Sequence, residues 1–196
     1  MLRTETLYHI YNRANGSENL FREDRNYHYF LQQWTKYIEP IADTYAYCLM
    51  PNHFHFLIKT KSESEITSAL SLSNLSSDQQ ANALSKRFSN LFNAYAKAYN
   101  KAYKRKGSLF MRPFKAKEID TDSYFTAIVR YIHQNPVRHG FCKKCDDWMY
   151  SSYGTYLSDT LSRVKKEKIL NWFGGLNGFL EAHTSTEDSN NDQIEY

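Results

Sequence analysis

Two histidines separated by one apolar residue are the side chains of this 196-residue chain best suited to hold a metal ion. His53 and His55 lie in an aromatic and branched stretch, residues 50–58, that is typical of a β-strand. Alternate residues of a strand point to the same face, so the two imidazoles are expected on one side, roughly 6.5 Å apart along the strand. This spacing allows both rings to bind one ion, although such a pair also occurs as two half-buried polar residues.

A second candidate pair follows about eighty residues later, on a segment with the periodicity of an amphipathic helix. Its apolar stripe consists of Phe125, Ile128, Val129 and Ile132. Tyr131 and Asn135 are four residues apart, so they are neighbours on one helix face, beside the stripe. Residues 120–122 supply cap candidates before the helix, and Pro136 is expected to end it at Asn135.

These two segments could form one site if the helix packs beside the histidine strand. His53, His55 and Asn135 would then offer two ring nitrogens and one amide oxygen to a divalent ion, and Tyr131 would lie next to it. A phenol, whose ordinary pKa is about 10, needs a nearby cation to react as phenolate at neutral pH. Taken singly, however, the tyrosine could simply border the core, and the asparagine could cap the helix. His133 and Gln134 are expected on the far side of the helix and are not predicted ligands.

Five ordered motifs resemble the single-tyrosine HUH transposases and, within them, most closely the REP-associated tyrosine transposases of bacteria. They are residues 8–13 (YHIYNR), 50–55 (MPNHFH), 107–110 (GSLF), 131–138 (YIHQNPVR) and 150–153 (YSSY). The resemblance extends over about residues 5–157. It implies a metal-dependent nuclease and strand transferase that acts on single-stranded DNA ends folded into hairpins.

The resemblance also implies roles for individual residues. His53, His55 and Asn135 would bind the ion, and Tyr131 would attack the scissile phosphate, remaining attached as a 5′-phosphotyrosine that another strand's 3′ hydroxyl can reverse. Because two imidazoles are softer than an all-oxygen cage, Mn²⁺ should suit the site at least as well as Mg²⁺. Two other functions stay open: a domesticated protein that binds hairpin nucleic acid without cutting it, and a metal phosphoesterase that activates water.

Charge agrees with a nucleic-acid partner. The chain carries a net charge of +4, but residues 1–183 carry +8, because residues 184–196 hold four acidic residues and no Lys or Arg. The predicted DNA contacts are Lys97, Lys101, Lys104, Arg105, Lys106, Arg112, Lys115 and Lys117, with Arg13 and Arg138 from the motifs. Five aromatic residues interleave with this basic segment, namely Tyr95, Tyr99, Tyr103, Phe110 and Phe114. They could stack on unpaired bases, or the tyrosines could form the packed side of a helix.

The order of predicted elements indicates an α/β chain, more narrowly an α+β, ferredoxin-like or RRM-like antiparallel sheet, with helices mainly on one face and the histidine strand central. Strands are predicted at residues 5–13, 44–50, 53–59 and 113–119. Helices are predicted at residues 24–38, capped by Asp24, and at 82–104 and 121–135. The Ser-rich segment 62–80 is predicted to be a mobile helix or loop over the site. Residues 1–183 are expected to form one domain with a core at about 5–157, and residues 184–196 a disordered acidic tail.

Composition further predicts a cytoplasmic protein without a membrane partner, because the chain has three cysteines and neither a signal peptide nor an apolar span. Cys142 and Cys145 with His139 could contribute to a zinc clip, but a fourth ligand is not evident. A homodimer is possible, since related transposases differ in whether the tyrosine helix serves its own or a partner's histidines.

Overall fold

The computed structural model describes residues 1–72 and 76–184, and its framework is a four-stranded antiparallel sheet. The strands are β1 (Leu7–Arg13), β2 (Ala42–Met50), β3 (His53–Thr60) and β4 (Lys115–Glu118), in the spatial order β2-β3-β1-β4. The α+β class, the antiparallel sheet and the inner position of the histidine strand agree with the prediction.

The predicted hairpin positions the two histidines. β2 and β3 pair with Met50 opposite His53, on either side of the Pro51-Asn52 turn. β1 pairs with the other edge of β3, which places Tyr11 opposite His55. Because β3 is hydrogen-bonded on both sides, its side chains project from a rigid support.

Two long helices cover one face of the sheet. They are α1 (Asp24–Tyr37) and α3 (Ser77–Ala102), and the even-numbered residues Phe54, Phe56 and Ile58 of β3 are buried among their side chains. The Trp34 and Phe56 rings stack with centroids 3.5 Å apart. Each such large apolar side chain contributes about 1.5–3 kcal/mol on full burial, so this layer is a main source of stability.

A second helical layer covers the opposite face, so the prediction that helices lie mainly on one face is wrong. This layer comprises α4 (Asp122–Arg138), α5 (Tyr153–Tyr156), α6 (Lys166–Trp172) and α7 (Leu176–Thr184), with a short 3₁₀ helix at Cys145–Asp147. The physical reason is that Leu57 follows the two histidines on this face and is fully buried, as is Met50 on β2. A face that is partly apolar must be covered by another element.

Helix α4 extends past Asn135, where Pro136 was predicted to end it. Thr121 is the N-cap, accepting a hydrogen bond from the Tyr124 N–H, but the helix continues through Pro136 to Arg138. Proline removes only its own N–H bond, and this loss falls in the last turn. The following turn is closed by the His139 N–H, which donates to the Asn135 carbonyl at 3.0 Å.

Three smaller differences concern the ends of elements. The N-cap of α1 is Glu23 rather than Asp24, in a reciprocal arrangement with Asn26. Part of the segment 62–80 forms α2 (Glu63–Leu70), whose Ile66 packs into the α1–α3 layer and hence not over the histidines. Of the predicted acidic tail, all but Thr184 lies outside the described residues. Within the described ranges no helix has the length and apolarity required to cross a bilayer.

Candidate functional site

His53 and His55 lie side by side beneath α4, on the face of β3 opposite the aromatic layer. Their ring centroids are 5.2 Å apart and the ring planes are nearly perpendicular, at 79°. Only 6% of His53 and 1% of His55 is exposed. Burial lowers the pKa of His53 to about 4 and lowers the pKa of His55 well below its ordinary value, so both rings are neutral at pH 7 and can act as ligands.

Asn135 meets His53 as the spacing of the two motifs predicts. The Asn135 Oδ1 atom lies 2.9 Å from His53 Nε2, and the Asn52 Oδ1 atom lies 2.7 Å from His53 Nδ1. Because the Asn52 oxygen can only accept, the neutral His53 ring carries its proton on Nδ1 and presents a lone pair on Nε2. Two acceptor atoms therefore face each other at 2.9 Å, and a cation bound by both would stabilise this arrangement.

A buried amide nitrogen supports this interpretation. Asn135 Nδ2 is buried and has no hydrogen-bond partner within the described ranges. Turning the amide would leave the oxygen in that position instead, so hydrogen bonding alone does not satisfy this side chain. The donor set of two imidazoles and one amide oxygen fits a divalent ion of intermediate softness, such as Mn²⁺.

Tyr131 lies on the same face of α4 as Asn135 and contacts His55 directly. Its ring meets the His55 ring edge to face, with centroids 5.3 Å apart and planes at 86°. The Arg138 guanidinium lies 5.5 Å from the centroid of the tyrosine ring. The structure thus brings together His53, His55, Tyr131 and Asn135, whereas His133 points away, to His183 and Ser152.

His9 belongs to this cluster, and the sequence did not single it out as a site residue. Its Nε2 atom is 2.9 Å from His55 Nδ1, and its ring stacks on the His55 ring at 5.1 Å. Tyr11, two residues along β1, stacks on His9 at 4.6 Å. The sequence shows that His9 lies in a strand with alternating apolar residues. Only the register of β1 against β3 shows that its imidazole meets that of His55.

Four of the predicted DNA contacts surround the histidines. Arg13 is paired with His53 across β1 and β3, and Arg138 lies over Tyr131. On the edge strand β4, Lys115 and Lys117 are exposed and stand opposite Tyr11 and His9, respectively, so they share the face of the histidines. These four cationic side chains could contact phosphates near the site.

The remaining predicted contacts lie elsewhere. Lys97 and Lys101 project from α3, the helix that packs on the other face of the sheet, and Lys104, Lys106 and Arg112 are exposed in the segment that follows it. Arg105 is engaged within the protein: its Nε donates to Glu18 at 3.0 Å and its Nη2 donates to the Ser108 carbonyl at 3.0 Å.

The aromatic residues of this basic segment are mainly part of the core. Tyr95 and Tyr99 are buried, and their hydroxyls donate to the Leu20 and Asn19 carbonyls at 2.6 Å. Tyr103 donates to Glu23 at 2.7 Å. The packed side of a helix is therefore the correct interpretation of the three tyrosines, and base stacking by them is not.

A zinc clip is not formed. Within residues 1–72 and 76–184 no group of three or more His, Cys, Asp or Glu side chains is arranged to hold a metal. His139 instead lies edge-on to His53, with ring centroids 5.3 Å apart. Cys145 is buried in the α4 layer.

Known proteins share this sequence pattern and this fold. The family model described as "Transposase IS200 like" matches residues 3–135. A protein named as a REP-associated tyrosine transposase from Haemophilus influenzae is 30% identical over 111 residues, which are 57% of this chain and 58% of that relative. The chain thus matches less than two thirds of that relative's length. A solved structure of a REP-associated tyrosine transposase bound to a REP hairpin has a TM-score of 0.58 and 16% identity, covering 83% of this chain and 86% of that one.

Proposed function

The chain belongs to the IS200-like transposase family, and from this premise we propose that it cleaves and rejoins single-stranded DNA at hairpin-forming ends. The observation that carries the proposal is the position of Tyr131. Helix α4 presents this phenol against His55, one turn before Asn135, and Asn135 reaches His53. A nucleophile and a set of metal ligands thus share one small volume.

Tyr131 is the nucleophile in this proposal. Its phenolic oxygen attacks the scissile phosphorus, the bond from phosphorus to the 3′ oxygen breaks, and the released oxygen takes up a proton as a 3′ hydroxyl. The 5′ end remains bonded to the protein as a phosphotyrosine. A 3′ hydroxyl from another strand can then attack the same phosphorus and release the phenol, so no nucleotide cofactor is required.

His53, His55 and Asn135 would hold Mg²⁺ or Mn²⁺. When bound, the ion would polarise the phosphoryl oxygens and favour the phenolate form of the nucleophile. The chain's own residues prepare the site: burial keeps the imidazoles neutral, and Asn52 directs the His53 Nε2 lone pair toward Asn135. Arg138, over the tyrosine ring, adds positive charge where the phosphate would lie.

Hairpin DNA is the partner that this arrangement fits. Arg13, Lys115 and Lys117 extend the positive surface from the histidines to the sheet edge, where a single strand could run. The structural relative bound to a REP hairpin supports the same class of ligand. One chain contains all four residues of the proposed site, because Tyr131 contacts His55 of its own chain, and this supports a reaction in cis. The cytoplasm is the proposed location, and the homodimer stays a prediction from the sequence.

The test is a denaturing gel of the protein incubated with labelled single-stranded hairpin DNA and Mn²⁺. Wild type should yield a covalent protein–DNA adduct, and Tyr131→Phe should yield none while binding the hairpin with nearly unchanged affinity. Tyr124→Phe is the matched control, because its hydroxyl lies two turns earlier on α4 and forms no hydrogen bond within the described part of the chain.

Two results would contradict the proposal. Hairpin binding by wild type without any adduct would indicate a non-cleaving binding protein. Cut DNA that carries a free 5′ phosphate, formed equally by Tyr131→Phe, would indicate a phosphoesterase that activates water.

A further inference from the structure

We infer that His9 is a positioning residue of the metal site. It accepts a hydrogen bond from the Nδ1–H of His55 and thereby holds the His55 ring in the tautomer whose Nε2 can bind an ion. The inference rests on the proposed function, because it concerns the orientation of a proposed ligand.

The contact between the two rings is short and enclosed. His9 Nε2 and His55 Nδ1 are 2.9 Å apart, and both residues are 1% exposed. Their rings are stacked with centroids 5.1 Å apart and planes at 22°, and Tyr11 stacks on both, at 4.6 Å from His9 and 5.8 Å from His55. The hydrogen bond with His9 and the ring contacts with His9 and Tyr11 restrict rotation of the His55 ring, so its two nitrogens keep fixed directions.

A single proton lies between His9 Nε2 and His55 Nδ1. Which of these two nitrogens carries it determines whether His55 Nε2 can bind a metal ion. If His9 Nε2 carried it, His55 would accept at Nδ1 and its own proton would sit on Nε2, where it would block a metal. If His55 Nδ1 carries the proton, Nε2 presents a lone pair that can bind an ion. A histidine ligand needs a second group that accepts its other N–H, and such groups fix the tautomer and ring orientation.

His53 shows the same device with a different acceptor. Asn52 Oδ1 lies 2.7 Å from His53 Nδ1 and leaves Nε2 toward Asn135. Each histidine of the pair is therefore anchored through Nδ1, one by an amide oxygen from the turn and the other by an imidazole from β1. This agreement between two independent contacts favours positioning over simple packing as the role of His9.

Two substitutions separate hydrogen bonding from packing. His9→Leu fills the space but removes the acceptor, whereas His9→Gln places an amide oxygen near the position of the imidazole Nε2. His28→Leu removes an exposed histidine from α1, on the other face of the sheet, and controls for adventitious metal binding. Thermal unfolding of each variant reports whether it folds.

The measurement is the affinity of the metal-free protein for Mn²⁺ alone, from the electron paramagnetic resonance signal of the free ion. We expect His9→Leu to weaken binding by about 10–100-fold, the usual effect of losing an outer-shell partner. His9→Gln should stay within about threefold of wild type, and His28→Leu should not differ from it. In ¹⁵N-histidine spectra of the metal-free wild type, His55 should be the Nδ1–H tautomer.

The outcomes distinguish the two levels of the proposal. If His9→Leu binds Mn²⁺ with the affinity of wild type, or if His55 is the Nε2–H tautomer, the role of His9 is overturned and the metal site is not. Absence of specific Mn²⁺ binding by wild type overturns the metal site itself, and the role of His9 with it. If His9→Leu does not fold, equal losses of affinity in folded His9→Gln and in a His55→Ala variant would also overturn the inference.

Discussion

The Nε2 atom of His53 on β3 lies 2.9 Å from the Oδ1 atom of Asn135 on α4, although the two residues are 82 positions apart. Neither atom carries a proton when the ring is neutral and its other nitrogen donates to Asn52. A cation between them would relieve this juxtaposition of two acceptors.

Substitution of the amide should therefore change metal affinity in opposite directions. Asn135→Asp keeps the shape and adds a negative charge, so Mn²⁺ should bind roughly tenfold more tightly, whereas Asn135→Leu should weaken binding by at least about tenfold. Titration of the metal-free proteins with Mn²⁺ measures both. Unchanged affinity in Asn135→Leu would show that this residue is not a ligand.

Two pairs of lysines should differ in their effect on DNA binding. Lys115 and Lys117 flank the histidines, whereas Lys97 and Lys101 project from α3 beyond the opposite face. Replacing the first pair with alanine should make the negative slope of log K against log salt shallower by about 1.4 for single-stranded DNA, because each phosphate contact contributes about 0.7 to its magnitude.

The α3 pair is the matched control, since its replacement removes the same charge. Fluorescence anisotropy with a labelled hairpin at several salt concentrations gives both slopes. Equal reductions by the two pairs would mean that DNA contacts the protein through overall charge or through both faces.

Arg105 should matter for stability more than its exposed neighbour Lys106. Its guanidinium joins Glu18 to the Gly107 and Ser108 carbonyls and thus holds the loop before Leu109. Arg105→Ala should lower the free energy of unfolding by about 1–2 kcal/mol, because it breaks charge-assisted hydrogen bonds of a partly exposed side chain. Lys106→Ala should change it by less than about 0.5 kcal/mol. Urea denaturation compares the two, and equal effects would contradict the structural role of Arg105.

A buried chain of hydrogen bonds ties α7 to α4. The Phe179 carbonyl accepts from His183 Nδ1 at 2.7 Å, so neutral His183 must accept at Nε2 from His133 Nδ1, 2.9 Å away. His133 Nε2 then accepts from the Ser152 hydroxyl at 2.8 Å. These three hydrogen bonds can form together only when both imidazoles are neutral.

Acid should therefore loosen this part of the protein. Burial lowers the pKa of His183 to about 4 and lowers the pKa of His133 well below its ordinary value. Since an unfolded histidine titrates at about 6.5, the unfolded chain binds more protons between pH 6.5 and 4, and stability falls as pH falls through this window. The loss due to His183 is on the order of 3 kcal/mol.

The corresponding measurement is the free energy of unfolding against pH. His183→Leu should be less stable than wild type at pH 8 but should show a shallower decline below pH 6.5. His28→Leu, which removes an exposed imidazole, should keep the wild-type slope. A decline unchanged in His183→Leu would show that the chain from His133 to Phe179 does not govern the acid response.

Local pattern was sufficient to predict the parts of the site. Alternation along residues 53–58 identified β3, and the four-residue spacing of Tyr131 and Asn135 placed both on one face of α4. The prediction that β3 and α4 contact each other rested on the motif resemblance, because periodicity does not indicate which face of a sheet a helix covers.

The errors share a physical cause, which is tertiary context. Pro136 is tolerated because it falls in the last turn of α4, and a second helical layer forms because Leu57 continues the histidine face as apolar surface. The local sequence does not show that His9 meets His55, because strand register depends on contacts between distant residues. Basic residues of one sequence segment, such as Lys101 and Lys115, lie on different sides of the sheet, because Lys101 is in the last turn of α3 and Lys115 begins the edge strand β4.

One helix bears both the reactive phenol and the amide that faces His53. An ion bound by both that amide and His53 would also fix the last turns of α4 against the sheet. Binding of the ion would then restrict the position of the Tyr131 oxygen. Cellular manganese or magnesium levels would then tune how accurately the nucleophile is held, in addition to how reactive it is.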